Sequence, residues 1–507
     1  MRDYGAESSV SVQGGPAGPE PGGLSPNVPL VVDLDGTLIK SDTLHESIIA
    51  LARKTPSALL RLPFWLPAGR AAVKQRIEDR LGLDPALLPY DPRVIDAVEA
   101  ARNAGCRTVL ATAADQRIAD RVSDHLGLFD EVLATRGAVN LGGARKTEAL
   151  VDRYGAGGFD YIGNSAADLP VWAQARRALA ANAPSAVVQR LARTHPAPVV
   201  LSRRRAPWLP LLRAMRPYQW VKNLLLFVPL VASQTFAAAV WARVLVAFCC
   251  FSAMASAVYL VNDLLNLEHD RHHPRKKNRP FASGEANILH GMLAAATLAL
   301  GSILVAYSVS PAFLGLLLLY VAVTTAYSAR LKQTPLVDVM LLAGLYTLRV
   351  LAGAAACQIV PSFWLLGFSM LLFTSLAFAK RYAEVSDASR RGTRTLSGRG
   401  YQLIDEPVLA TFGVSSGYAA VVVMALYINA TAETGVYATP VLLWAVCPLL
   451  LYWISRMWLA AQRGFLTDDP IVFALRDRVS RVVILACSLV VLAASQKPSR
   501  LLAAFHS

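Results

Sequence analysis

The sequence predicts two halves of different class: an α/β soluble domain, followed by an all-α polytopic membrane domain of about nine transmembrane helices. Three observations predict this. From about position 220 onward, apolar stretches of roughly 18 to 24 residues recur, the length a helix needs to cross a hydrocarbon core. Ahead of them, PLVVDLDGTLIKSD at 29–42 is a short β-branched run that ends in Asp33, Asp35 and Thr37. Finally, Lys and Arg crowd alternate connections between the apolar stretches and leave the others nearly bare.

The 507 residues exceed what one ordinary core organises, so two domains are the minimum expectation. Residues 1–28 are rich in Gly, Pro and Ser and have no apolar core, which predicts a disordered tail rather than a signal peptide. The soluble domain is expected over 29–195, a linker (HPAPVVLSRRRAPWLP) over 196–210, and the membrane domain over 211–507. Six cysteines, Cys106, Cys249, Cys250, Cys357, Cys447 and Cys487, show no paired spacing and predict no disulfide or metal framework. The net charge of +15 raises nucleic acid as a partner, but no basic and aromatic stripe supports it. Much of the charge is the bias of cytoplasmic loops.

Within the soluble domain, an apolar strand followed by DxDGT places two carboxylates at the carboxyl end of a strand, where open α/β sheets bind ligands. RTVLATAAD brings Thr112 to another strand end, GGARKTEAL contains Lys146, and FDYIGNSAADLPV supplies Asn164 and Asp168. Four motifs in this order over about 150 residues resemble the haloacid dehalogenase (HAD) superfamily, whose fold is of Rossmann type. The resemblance implies covalent phosphatase chemistry: Asp33 attacks phosphorus, Asp35 protonates the leaving alcohol and later activates water, and Thr112 and Lys146 hold the phosphate. It also implies a magnesium site of Asp33, Asp35, Asn164 and Asp168. Asn164 stands where the family commonly has Asp. Residues 44–90, with helical periodicity and a WLPAGR interruption, are expected to form a small cap, and His45 beside the loop reads as structural. The alternative for this half is a degenerate domain used for docking.

The membrane spans are expected near 220–236, 244–263, 288–308, 311–328, 336–357, 361–380, 407–429, 438–457 and 479–495. Basic residues before the first span (Arg203, Arg204, Arg205, Arg213, Arg216, Lys222) and in 264–287, 330–335, 381–406 and 458–478 place these segments, and the soluble half, in the cytoplasm. The connections at 308 (SVSP) and 429 (NATAETGVYA) carry essentially no basic charge.

At the end of the second span the sequence reads VNDLLNLEHDRHHPRKKNRP. Asn262, Asn266 and Asp270 fall four apart and stack along one helical face, with Asp263 beside them. A row of oxygen donors suits magnesium, which often bridges to substrate phosphate. His269, His272 and His273 raise zinc, but they lack a partner cluster, and the carboxylate row argues for a hard cation. This pattern resembles the first aspartate-rich motif of the UbiA-like intramembrane prenyltransferase superfamily, with Asn266 in place of the usual Asp. Glu268, Asp270 or the late acids Asp468, Asp469 and Asp477 are candidates to compensate. YSARLKQTPLVD at 327–338 resembles the second signature and implies roles for Tyr327, Lys332 and, as a metal ligand, Asp338.

RPYQWVKN at 216–223, HPRKKNRPFASG at 273–284 and KRYAE at 380–384 resemble the decaprenyl-phosphate phosphoribosyltransferases more than aromatic prenyltransferases. That resemblance implies phosphoribosyl diphosphate and a polyprenyl phosphate as substrates. Both are polyanions, so Lys222, Arg271, Lys276, Lys277, Arg279, Lys380 and Arg381 are candidate phosphate ligands, with Arg216, Arg394 and Arg399 around the mouth. Transfer would leave a lipid-linked ribose 5-phosphate, a natural substrate for a fused phosphatase. The readings weighed against this one are prenylation of an aromatic acceptor and a membrane-anchored phosphatase with a non-catalytic membrane half.

Overall fold

The computed structural model describes residues 25–496, apart from 60, 66, 68, 138–139, 196, 204–207, 236, 392–398, 433–436 and 467–468. The tail expectation for residues 1–24 and the assignments to Arg204, Arg205, Arg394 and Asp468 fall outside the described residues. Contacts divide the chain into two units. One runs to Ala214 and includes Asp263–Gly291; the other holds Met215–Asn262 and everything from Met292.

The first unit is built on a six-stranded parallel sheet in the order β3-β2-β1-β4-β5-β6. The strands are β1 Leu30–Val32, β2 Thr108–Asp115, β3 Glu131–Thr135, β4 Asp160–Gly163, β5 Arg177–Ala180 and β6 Val199–Val200. Central β1 is paired on both sides, Val31 opposite Val109 and Tyr161, and all three of its residues are buried. This is why it reads as an uninterrupted apolar run rather than an alternating one. Odd and even residues enter different cores: Leu30, Val32, Leu110 and Ile162 pack in one, Val31, Val109, Ala111 and Tyr161 in the other. The strand order reverses direction at β1, which opens a crevice at the carboxyl ends of the strands. The segment expected as a linker carries the edge strand β6, paired with Leu179 and Ala180.

The cap over 44–90 is helical. Helix Thr43–Lys54 begins at Asp42, whose carboxylate accepts from the Leu44 and His45 amides. It packs Leu51 with Trp65, Val73 and Ile77, the last two from helix Gly69–Glu78.

The 263–291 segment belongs to this unit. The row expected on one helical face is interrupted: helix Ala238–Leu265 stops, Asn266 takes φ −101° and ψ 13°, and a new helix runs over Leu267–His272. Asn competes with helical hydrogen bonding through its own amide and suits such a junction. Arg271 donates to both oxygens of the buried Glu46 carboxylate at 2.6 and 3.1 Å and to the Ala282 carbonyl at 3.1 Å. Arg53 pairs with Glu268, and Arg213 with Glu285 at 2.6 Å. Gly284, at φ +74°, lies so close to Lys40 that a Cβ there would sit 2.7 Å from the Lys40 Cβ.

The second unit contains, among the described residues, eight helices long and apolar enough to cross a membrane: Ala238–Leu265, Ile288–Val309, Pro311–Ala329, Val337–Cys357, Phe363–Arg390, Leu403–Ala430, Pro440–Gln462 and Arg478–Ser495. The expected span at 220–236 is not among these eight, because its helix is divided into two shorter segments. It is a 3-10 helix, Pro217–Phe227, followed by the short helix Val228–Ala232. Pro229, where the 3-10 segment gives way to the α-helix, lacks the amide proton that a continuous α-helix would use there. Gly353 lets helix Val337–Cys357 close on this 3-10 segment, since a Cβ there would fall 2.1 Å from the Leu226 carbonyl oxygen. Large apolar side chains such as Leu304, 73% exposed, and Val422, 62% exposed, point outward as a lipid-facing surface requires.

Candidate active sites

At the carboxyl end of β1, the backbone turns at Gly36 (φ +76°), whose bare Cα faces the Asn164 side chain. A Cβ on Gly36 would fall 2.0 Å from Asn164 Nδ2, so the two motifs meet here only because the residue is glycine. Asp33 is buried. Its Oδ1 accepts from Lys146 Nζ at 2.6 Å, and its Oδ2 from the Thr37 hydroxyl at 3.2 Å. Lys146 also reaches Tyr161 Oη at 3.1 Å and Asp168 Oδ1 at 3.9 Å. Asp168 is fixed in turn by Tyr161 Oη at 2.7 Å and by Ser165 N and Oγ, both at 2.9 Å. Asp35 accepts from the Thr43 amide at 2.8 Å and the Thr43 hydroxyl at 3.2 Å.

Burial pushes the Asp33 carboxyl up to about 6; Lys146 opposes that rise and Asp168 adds to it. Burial and then the neighbouring Asp42 push Asp35 up to about 7, against the pull of Lys74. Both its protonated and ionised forms are therefore populated at neutral pH, which suits a group that must give and then take a proton. Burial, Asp168 and Asp33 hold the Tyr161 phenol protonated, well above its ordinary value.

Asp33, Asp35, Lys146, Asn164 and Asp168 all line one cavity of about 690 Å³. Thr112 does not line it: the residue is buried and its hydroxyl accepts from the Ala114 amide at 3.0 Å, while the next residue, Ala113, faces the cavity. Among the described residues, no three His, Cys, Asp or Glu side chains already converge as a ligand set. The donors still fit magnesium, because they are all hard oxygens and three of them, Asp33, Asp35 and Asp168, are carboxylates. Magnesium typically takes one or two carboxylates and completes its shell with water and substrate phosphate.

In the 263–291 segment, Arg279 Nη1 bridges Asp263 Oδ1 at 3.1 Å and Asp270 Oδ2 at 2.7 Å, so the fold does bring these two acids to one point. Asn266 marks the helix break. Lys276 begins a 3-10 turn and is half-buried, Lys277 is exposed, and Arg271 is held by Glu46.

The second unit holds two clusters of its own. In one, Asp338 and Arg381 are fully buried and paired; Tyr401 Oη donates to Asp338 at 2.5 Å, Arg399 approaches it at 3.3 Å, and Arg381 also donates to Tyr327 Oη at 3.0 Å and Glu384 at 2.6 Å. Lys332 lies in the short turn Leu331–Gln333 ahead of this helix. In the other, Asp469 receives Lys222 at 2.8 Å, Lys380 at 3.2 Å and Tyr346 Oη at 3.0 Å. Asp477 instead caps helix Arg478–Ser495 and pairs with Arg456. Sequence reasoning missed Arg349, a buried guanidinium inside a membrane helix that donates to Asn223 at 2.9 Å and lies 4.9 Å from the Tyr320 ring centre. Its signal was available, because a lone charge within an apolar span is costly and marks a site.

A phosphate-handling α/β hydrolase domain joined to a helical membrane transferase is the class these features define. Residues 224–495 match the UbiA prenyltransferase family and residues 30–173 match the haloacid dehalogenase-like hydrolases. The chain belongs to the UbiA prenyltransferase family and carries a haloacid dehalogenase-like domain before it; it is a multi-pass membrane protein. It is 38% identical over 460 residues to the Uncharacterized protein y4nM of Sinorhizobium fredii, covering 89% of this chain and 88% of that one. It is 31% identical over 280 residues to decaprenyl-phosphate phosphoribosyltransferase of Mycobacterium tuberculosis, covering 54% of this chain and 90% of that one. A solved structure of a UbiA homolog from Archaeoglobus fulgidus bound to GPP and Mg2+ aligns with a TM-score of 0.43 at 15% identity, covering 56% of this chain and 99% of that one. Magnesium is the general cofactor of both families, and the UbiA family acts on prenyl phosphate lipids.

Proposed function

We propose that the membrane domain transfers 5-phosphoribose from phosphoribosyl diphosphate to a polyprenyl phosphate, and that the HAD domain then removes the 5-phosphate from the lipid-linked sugar. The observation that carries this reading is the pairing, in one chain, of a cavity lined by Asp33, Asp35, Lys146 and Asp168 with a domain 31% identical to a decaprenyl-phosphate phosphoribosyltransferase over nine-tenths of that protein's length. The product of such a transferase carries the monoester that such a phosphatase removes.

In the first step an oxygen of the lipid phosphate bonds to the anomeric carbon as the bond to diphosphate breaks. Lys222, Lys380, Arg279 and Arg381 meet the polyanions, and Asn262, Asp263, Asn266, Asp270 and Asp338, with Tyr327 and Lys332, form the two signature segments. In the second step Asp33 attacks phosphorus while Asp35 protonates the departing sugar oxygen. Asp35 then takes a proton from water as the water cleaves the phosphoaspartate and releases inorganic phosphate. Lys146 and Tyr161 keep the Asp33 and Asp168 carboxylates in place throughout. Magnesium held by the carboxylates of each domain supplies positive charge against the phosphates. The chain would work in the cytoplasmic membrane with both sites on the cytoplasmic side, as its basic loops require.

The test uses the purified chain in lipid nanodiscs with polyprenyl phosphate and phosphoribosyl diphosphate labelled in the ribose. Magnesium-dependent label in the lipid, phosphorylated in Asp33→Asn and dephosphorylated in the wild type, is the expected result. Label transferred only from a prenyl diphosphate to an aromatic acid would refute the transfer, and an unchanged product in Asp33→Asn would refute the second step.

A further inference from the structure

The HAD cavity is lined by six carboxylates and by five cations, more cations than one phosphate group uses. Lys146 is committed to Asp33, and Lys74 donates to the Ala113 carbonyl at 2.6 Å and acts on Asp35. Three further cations, Lys40, Arg93 and Arg203, line the same cavity from three different parts of the chain. None of the three has an ion pair among the described residues. The acids on these walls are already engaged: Asp42 caps helix Thr43–Lys54, Asp91 accepts from the Arg93 amide and Asn182 Nδ2, and Glu285 pairs with Arg213. Three cations that line one concave polar space without ion pairs among the described residues are the groups a ligand's anion would meet there. At about 690 Å³ the cavity is within the range of pockets that enclose whole ligands, about 300–1,000 Å³.

One wall is remote in sequence. Gly284, Glu285 and Asn287 complete the cavity from the segment that follows the first aspartate-rich motif. That wall is fixed rather than loose, because Arg271, with a side chain 10% exposed, grips Glu46, with one 5% exposed, through two hydrogen bonds and also donates to the Ala282 carbonyl. Paired charges this buried hold one geometry, since separating them strands both.

We infer that the HAD pocket is built for a phosphomonoester that carries a second phosphate group, the second group being held by Lys40, Arg93 and Arg203 beneath the Gly284–Asn287 wall. This deepens, and rests on, the proposed phosphatase reading. A sugar bisphosphate and a sugar 5-phosphate joined to a lipid by a phosphodiester share this chemistry.

The intact chain in nanodiscs is tested with ribose 5-phosphate, ribose 1,5-bisphosphate and the lipid-linked product, both as turnover and as binding to the Asp33→Asn chain. The expected result is at least roughly tenfold tighter binding and lower KM for the two-phosphate substrates than for ribose 5-phosphate, from charge-assisted hydrogen bonds to the second group. The Arg93→Ala/Arg203→Ala double variant should erase that preference by raising KM with little change in kcat, and Arg93→Lys/Arg203→Lys should restore part of it. Preference for the lipid-linked compound over free bisphosphate identifies the lipid as the source; the reverse identifies the soluble sugar. Equal binding of all three by a chain whose melting curve is normal, or an equal loss for all three in the double variant, would overturn the inference. If no compound is turned over but the bisphosphate still binds tenfold tighter, the phosphatase reading fails and the second anion site stands.

Discussion

Replacing Lys146 by Met removes the one cation that the buried Asp33 and Asp168 share. At an effective dielectric of about 20, a charge 2.6 Å from Asp33 contributes roughly 6 kcal/mol of gross attraction, and one 3.9 Å from Asp168 roughly 4 kcal/mol. Most of this is offset by the cost of taking the ammonium out of water, so the net destabilisation falls near the 3–5 kcal/mol typical of breaking a buried pair. Asp33, already pushed up to about 6 by burial despite Lys146, must rise further without it. At pH 7 the first unit of that rise lowers the ionised, nucleophilic fraction less than twofold, and each unit beyond it about tenfold. Hydrolysis of a small phosphomonoester by the intact chain, followed from pH 5 to 9 in saturating magnesium, should fall about tenfold or more at pH 7, and its acid limb should move to higher pH. Rates within threefold of wild type, or a reduced rate with an unmoved acid limb, would refute the assignment of Lys146 as the cation that keeps Asp33 ionised.

Asp33 and Asp35 are both raised above the unfolded value of 3.8, so in the native state they hold protons that the unfolded chain has released. The stability they contribute is full below about pH 4 and is lost as pH rises through about 6 to 7; in EDTA the melting temperature of the HAD domain should therefore drop between pH 5 and 8, and magnesium should flatten the drop. In the membrane unit, Arg381→Met strands the buried Asp338 and should cost roughly 3 kcal/mol, the low end for a broken buried pair, because Arg399 and Tyr401 remain beside it. The Asp338→Asn/Arg381→Met double variant should melt above the single one, and a purely additive pair would count against the cluster. Asp263→Ala leaves Arg279 paired with Asp270 at 2.7 Å and should fold normally while losing lipid transfer; full transfer activity would remove Asp263 from the metal site.

The soluble site was legible wherever its chemistry sits at strand ends with local punctuation. Asp33, Asp35 and Asp168 follow apolar runs, and Gly36 marks the turn between them. Lys146 could be matched to its motif, but its partnership with Asp33 spans 113 positions and has no local sign. Arg93 and Arg203 look like ordinary surface arginines, because what distinguishes them is the shared cavity. Arg271 reads as one cation in a basic loop, whereas the fold ties it to Glu46, 225 residues away. The segment at 220–236 reads as one continuous apolar helix, and hydropathy does not register the missing amide proton of Pro229, where it divides. The regular spacing at 262, 266 and 270 is real, but periodicity cannot see the junction conformation that Asn266 adopts.

One rule accounts for much of what spacing could not reveal. A buried carboxylate needs a partner, and for four of them the partner is a cation that sequence reasoning assigns to substrate: Arg279 for Asp263 and Asp270, Arg381 for Asp338, Lys222 and Lys380 for Asp469. In the proposed transfer these assignments do not conflict. If a metal and a diphosphate arrived together, the carboxylates would hold the metal and the cations released from them would meet the phosphate oxygens. Every buried charge remains paired, so the exchange avoids the 3–5 kcal/mol that breaking any single pair would cost. The density of acid–base pairs in the membrane unit is therefore itself an argument for a donor that brings a diphosphate.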